Sequence, residues 1–172
     1  MNDYSSLRFE INGELRQDIN SWGLDYIDEQ DVFSNPDYPY LGREENTHCT
    51  VLYNIVDTEP EQAQKVLTGE PSFNVELGEL SVFENDMFDV IKINVSGQGL
   101  DDLHEVASSE IDHDELYHKF NPHVTIAFLK KYKGTRLLER VNKRKFVGIK
   151  LKVNKLLFNK YRKDETVINL AT

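Results

Sequence analysis

The chain holds one cysteine, Cys49, in 172 residues. No internal disulfide can form, and a reducing, cytoplasmic setting is expected. No apolar run approaches the 18 or so residues of a membrane-spanning helix. The opening MNDYSSLRFE lacks the basic start and apolar centre of a secretory leader. CxxC, HExxH and the glycine-rich phosphate loop are all missing, which removes the common zinc, redox and nucleotide-triphosphate signatures. Basic side chains are scarce over residues 1–129, 6 against 27 acidic, and the net charge of −10 argues against stable binding to duplex nucleic acid. The balance reverses over residues 130–163, with 14 basic side chains and 1 acidic. That segment either attracts a phosphorylated ligand or neutralises the acidic remainder.

What is present fits a single domain over 1–172, with an acidic, aromatic preface at 1–46 and a core at 47–172. The length supports a full hydrophobic core, and a monomer is the default. Within the core, two stretches repeat a pattern: THCTVLYNI, residues 47–55, and FNPHVTIAFL, residues 120–129. Positions i and i+2 of a strand share a face. His48 and Thr50 therefore point one way with Cys49, Val51 and Tyr53 opposite, which makes Tyr53 a packing residue. His123 and Thr125 likewise share a face, extended by Ala127 and Leu129, while Val124, Ile126 and Phe128 face the core.

Around these strands the periodicity predicts a strand at Leu7–Ile11 and one or two helical turns at Glu14–Asn20. An irregular aromatic segment follows from Trp22 to Tyr40. A helix is expected over Asp57–Gly69, capped by Thr58 with Glu61. Strands at Ser72–Phe83, bent at Gly78, and Met87–Val95 form a hairpin, and a helix starts at Gly99. Tyr132–Val141 allows a short helix. A long alternating run, Phe146–Lys160, changes phase near Asn154, and Thr166–Leu170 closes the chain. The order strand, helix, strand, strand occurs twice, which predicts an α+β fold of two curved antiparallel sheets with helices outside. A pseudo-two-fold arrangement would set the two His–Thr pairs across one groove.

Two imidazoles facing one phosphorus can share the work of cleaving a phosphodiester. One neutral ring takes a proton from the attacking oxygen while the other, charged, gives one to the departing oxygen. Two hydroxyls at i+2 would hold the non-bridging oxygens. A lone H-x-T is more often structural, but two copies in matching halves are harder to dismiss. His104, His113 and His118 read as flanking or surface residues. No metal or cofactor is called for.

The motifs HCTVLYNI and PHVTIAFL, with their separation, resemble the 2H phosphoesterase superfamily over roughly residues 45–170. That superfamily includes RNA 2′,3′-cyclic phosphodiesterases once described as 2′-5′ RNA ligases, nucleotide-binding domains, and phage enzymes that degrade cyclic oligonucleotides. The resemblance implies a bilobal α+β fold and metal-independent chemistry, with a nucleotide, RNA end or small cyclic oligonucleotide as substrate. It makes His48, Thr50, His123 and Thr125 the site. Cys49 departs mildly from the usual apolar residue. From proximity in sequence, Tyr4, Trp22 and Tyr132 are candidates for base stacking, with packing the alternative for Trp22. Arg43, Lys130 and Lys131 are candidates for phosphate contact. The competing readings are a nucleotide-binding module without turnover and a protein-interaction module using the opposed charges.

Overall fold

A computed structural model of the chain describes residues 4–115, 119–161 and 163–172; His118 lies outside them. Strand β1 (Ser5–Glu10) leads into helix α1 (Gly13–Tyr26) and a 3-10 turn, then β2 (His48–Ile55) and α2 (Glu61–Leu67). The hairpin β3 (Phe73–Glu84) and β4 (Phe88–Ser96) precedes α3 (Gln98–Glu110), β5 (His123–Lys130) and α4 (Lys133–Arg140). Three strands close the chain: β6 (Lys150–Val153), β7 (Lys155–Lys160) and β8 (Asp164–Asn169).

The eight strands among the described residues join one antiparallel sheet in the order β6-β3-β4-β5-β2-β1-β7-β8. Two sheets are expected from the sequence; the strands instead form one, with the histidine strands β5 and β2 adjacent at its centre and four strands in each half. Among the described residues the halves share one register pair, Cys49 with Val124. β1, from the segment read as preface, sits inside the sheet between β2 and β7.

The phase change near Asn154 has a topological cause. β6 pairs with β3 in one half and β7 with β1 in the other, so the alternating run crosses from one half of the sheet to the other at Asn154. Helix α1 is longer than the pattern at Glu14–Asn20 implied, because Ile19, Trp22 and Gly23 continue its buried face. The expected cap of α2 is not formed. Pro60 holds the N-cap position without a side-chain bond, and Asp57 instead accepts a hydrogen bond from the Glu59 amide at 3.0 Å.

Apolar side chains from every strand form one continuous core, including Leu7, Ile55, Leu77, Ile91, Ile93 and Phe158, with Leu100, Leu103 and Ala107 of α3 packed into it. Gly97, just before α3, is required by a close approach. A Cβ there would lie 2.6 Å from the Asn74 carbonyl oxygen and 3.3 Å from the Val75 Cα, neither of which can swing aside. Gly97→Ala is therefore expected to cost about 1–3 kcal/mol as overpacking, read as a lower denaturation midpoint with an unchanged m-value.

Candidate active site

Cys49 and Val124 face each other across β2 and β5 with no exposed surface. The neighbouring positions of this antiparallel register set His48 opposite Thr125 and Thr50 opposite His123. The two H-x-T triplets are thus interleaved crosswise on one face, above a floor formed by Cys49 and Val124. Burial pushes the Cys49 thiol up to about 12, so it is a packing group and no nucleophile.

Both rings are held the same way. The Nδ1 of His48 lies 2.6 Å from the Asn46 carbonyl oxygen, and that of His123 lies 2.9 Å from the Asn121 carbonyl oxygen. A carbonyl only accepts, so each Nδ1 carries hydrogen and each Nε2 is the atom able to exchange a proton with a ligand. His123 is held below the ordinary histidine range. Burial is the main cause, opposed by the Asn121 carbonyl and reinforced by the positive charges of Lys92 and His48.

The face assignment beyond the threonines needs correction. In β5 the partner of Ile91 is Ala127 but that of Lys92 is Thr125, so Ile126 is the extra residue of a β-bulge. Alternation slips by one there. Phe128, not Ala127 or Leu129, joins His123 and Thr125, and the latter two are buried. β2 carries a matching slip, since Leu7 pairs with Leu52 while Arg8 pairs with Thr50. Tyr53 is accordingly partly exposed and lines the site cavity, where strict alternation made it a packing residue. Aligned on their histidines, both strands read Asn-x-His-x-Thr-x-x-aromatic.

A cavity of about 390 Å³ opens beside His123 and Thr125, and Tyr53, Phe88, Phe120 and Phe128 give it an aromatic wall. His104, read from sequence as a flanking residue, also lines it. The His104 ring stacks on Phe120 at 3.8 Å with planes 6° apart, and its Nδ1 is 2.7 Å from the Val51 carbonyl oxygen. His113 reaches the same cavity and has its Nδ1 2.8 Å from the Ile111 carbonyl oxygen.

The flanking candidates fall elsewhere. Trp22 is 5% exposed, packed on Tyr26 and Phe146. Arg43 is a clamp on the end of α1. It donates to the carbonyls of Gly23 at 2.9 Å and Ile27 at 2.6 Å, and to Glu29 at 3.0 Å. Lys130 donates to the Gln30 carbonyl. Lys131 lies 3.4 Å from the buried Asp89 carboxylate and 5.1 Å from the exposed Tyr132 ring centroid. None of these five lines the cavity, nor does Tyr4, whose hydroxyl donates to Asp114 at the cavity rim.

The sequence reading missed Lys92. It is 6% exposed, on the cavity wall, and opposite Thr125 in register. Its signal was a lysine set between Ile91 and Ile93 in the apolar centre of the strand, VIKI. A buried positive charge in the middle of a sheet is rare without a purpose.

A curled antiparallel sheet accompanied by four helices is the fold of the two-histidine phosphoesterases. The sequence profile of the 2′-5′ RNA ligase superfamily matches residues 25–165, and the chain belongs to that superfamily. No curated protein matches it in a pairwise sequence comparison. Among solved structures, apo LigT of E. coli is similar at a TM-score of 0.64 and 17% identity, covering 99% of this chain and 98% of that one. The TT0787 protein of Thermus thermophilus is similar at 0.62 and 14%, covering 90% and 86%. LigT complexed with 3′-AMP gives 0.61 and 17%, covering 98% and 95%. At these identities the structural likeness establishes the fold.

Proposed function

We propose that the chain is a metal-independent phosphodiesterase acting on an RNA-like, 2′,3′-cyclic-phosphate or small oligonucleotide phosphodiester. The observation that carries this reading is the crossed register of the two H-x-T triplets, with both rings offering Nε2. His123, kept neutral by its surroundings, is the base. Its Nε2 takes the proton from a vicinal 2′-OH, or from water when the substrate is already a cyclic phosphate. The freed oxygen bonds to phosphorus as the bond to the leaving oxygen breaks. His48, protonated on both nitrogens, gives its Nε2 proton to that leaving oxygen. The Thr50 and Thr125 hydroxyls donate to the non-bridging oxygens and hold phosphorus between the rings. The aromatic wall of Tyr53, Phe88, Phe120 and Phe128 is suited to stack a base. LigT structures complexed with 3′-AMP, ATP and NADP+ support a nucleotide as the ligand class.

The test is turnover in EDTA of a nucleoside 2′,3′-cyclic phosphate, 2′-5′ and 3′-5′ dinucleotides, and cyclic di- and trinucleotides. Cleavage of one class, unchanged by the chelator, is expected. Silence across the panel from folded protein would leave a binding module without turnover as the better reading.

The acid limb of kcat/KM follows from the His123 environment. A base whose pKa is lowered stays neutral as pH falls past the ordinary value near 6.5, so activity persists there and is lost only as pH falls through the lowered value. An acid limb lying above 6.5 would assign the base elsewhere.

A further inference from the structure

Reading the site face outward from the centre, each half has a cation beside its threonine: Arg8 pairs with Thr50 and Lys92 with Thr125. The two are treated differently by their surroundings. Arg8 is ion-paired with Glu165 from β8. Lys92 donates to Ser81 Oγ at 2.8 Å and Asn94 Oδ1 at 3.1 Å, and the Ser81 hydroxyl donates in turn to Asn94 Oδ1 at 2.7 Å. These partners are neutral, and among the described residues no carboxylate forms an ion pair with Lys92. Burial consequently pushes its ammonium below the ordinary lysine range.

Leaving a nearly buried ammonium without a counter-charge is unfavourable, and a methionine of similar shape would avoid that cost. The arrangement makes physical sense when the counter-charge arrives with the ligand. Lys92, Thr125 and His123 line the same cavity wall, which His48 and Thr50 do not line, and a phosphoryl group held by Thr125 and His123 would bring its charged oxygens to that wall.

We propose that Lys92 is the anion-holding group of the site, contacting a non-bridging phosphoryl oxygen together with Thr125. The inference rests on the phosphodiesterase reading and adds a charge asymmetry to it. The ligand's negative charge is drawn to the Lys92–Thr125–His123 side, because the corresponding cation of the other half is already neutralised by Glu165. Developing charge on the phosphoryl oxygens is then stabilised by a group fixed before the ligand arrives. The Lys92 charge also adds to the burial that holds His123 below the ordinary histidine range, so one side chain bears on both binding and the protonation of the base.

Lys92→Met tests this, with inorganic phosphate as the probe. Phosphate dissociation constants are measured by calorimetry, kcat and KM on the substrate found in the panel, and folding by thermal melting. The variant is expected to melt at or above the wild-type temperature, to bind phosphate at least ~10-fold more weakly, and to lose roughly 10²–10³-fold in kcat/KM. Its acid limb moves to higher pH, and Lys92→Arg recovers part of the phosphate affinity. Unchanged phosphate affinity in folded Lys92→Met overturns the proposal, even where activity falls, because Lys92 then acts only through His123. Should the wild type turn over nothing on the panel, the phosphodiesterase reading fails by itself, while the phosphate measurement still decides whether Lys92 holds an anion.

Discussion

His123→Ala is expected to lower kcat/KM by roughly 10²–10⁴, and His48→Ala by the same order, while both proteins stay folded. Each change removes one proton-transfer atom. The Nε2 of His123 takes a proton from the nucleophile and that of His48 returns one to the leaving oxygen, so neither ring can stand in for the other. The losses should not add. Once one transfer is gone the remaining histidine has little left to assist, and the double variant is expected to fall near the weaker single one. Steady-state rates on the best panel substrate, with melting curves as the control for folding, check this. A His48→Ala enzyme retaining most of the wild-type rate would remove the acid from the mechanism. The threonine changes are expected to be milder, because Thr50 and Thr125 position phosphorus and transfer no proton.

Arg43→Ala is expected to do the reverse, costing stability and sparing chemistry. The guanidinium is largely buried and answers the Gly23 and Ile27 carbonyls together with Glu29. The Gly23 carbonyl also accepts the Ile27 amide at 3.0 Å, so the cation adds a second bond there, answers the Ile27 carbonyl, and complements the helix dipole. Hydrogen bonds to a charged donor contribute about 1.5–3 kcal/mol each; the Gly23 carbonyl keeps its amide partner and the exposed Glu29 pair adds little, so losing the clamp should cost about 3 kcal/mol in all. For a chain of this size that lowers Tm by roughly 6–12 °C. Activity measured well below the melting range should stay within about two-fold of wild type, because the Arg43 side chain points at the end of α1 and does not line the cavity. A large loss of kcat/KM in folded Arg43→Ala would return the residue to the site.

Arg43 and Lys92 show where sequence reading succeeds and where it stops. Arg43 drew attention as a lone cation before the first histidine strand, yet its partners are carbonyls 16 and 20 residues upstream, and no local pattern announces them. Lys92 lies in a strand that the pattern makes plain, but its meaning depends on a neighbour in β5, more than thirty residues on. The H-x-T strands were legible since the period of a strand fixes which side chains share a face over two residues. Over five residues that rule failed twice, at Val51 and Ile126, where an extra residue turned Tyr53 and Phe128 to the opposite face from the one alternation assigned. Bulges are set by pairing, which a single strand's sequence does not display. The strand order was hidden for the same reason. The insertion of β1 between β2 and β7, and the crossing of the chain at Asn154, are long-range choices that local propensity leaves open.

The meeting of β2 and β5 at Cys49 and Val124 has a mechanical consequence. In most sheets a long ladder of hydrogen bonds fixes how far apart two facing side chains stand. At this seam the ladder is short, and the gauge between the imidazoles is set from beneath, by the bulk of a thiol against a branched aliphatic group. Packed interiors resist changes of a single methylene, so those two inert side chains act as the spacer of a vice whose jaws are His48 and His123. Cys49→Ala would then narrow the jaws and Cys49→Val widen them, with no atom of the chemistry altered. The order of rates among the panel substrates should shift with the width of the seam, so that the least reactive residue of the motif tunes the size of phosphodiester the protein can grip.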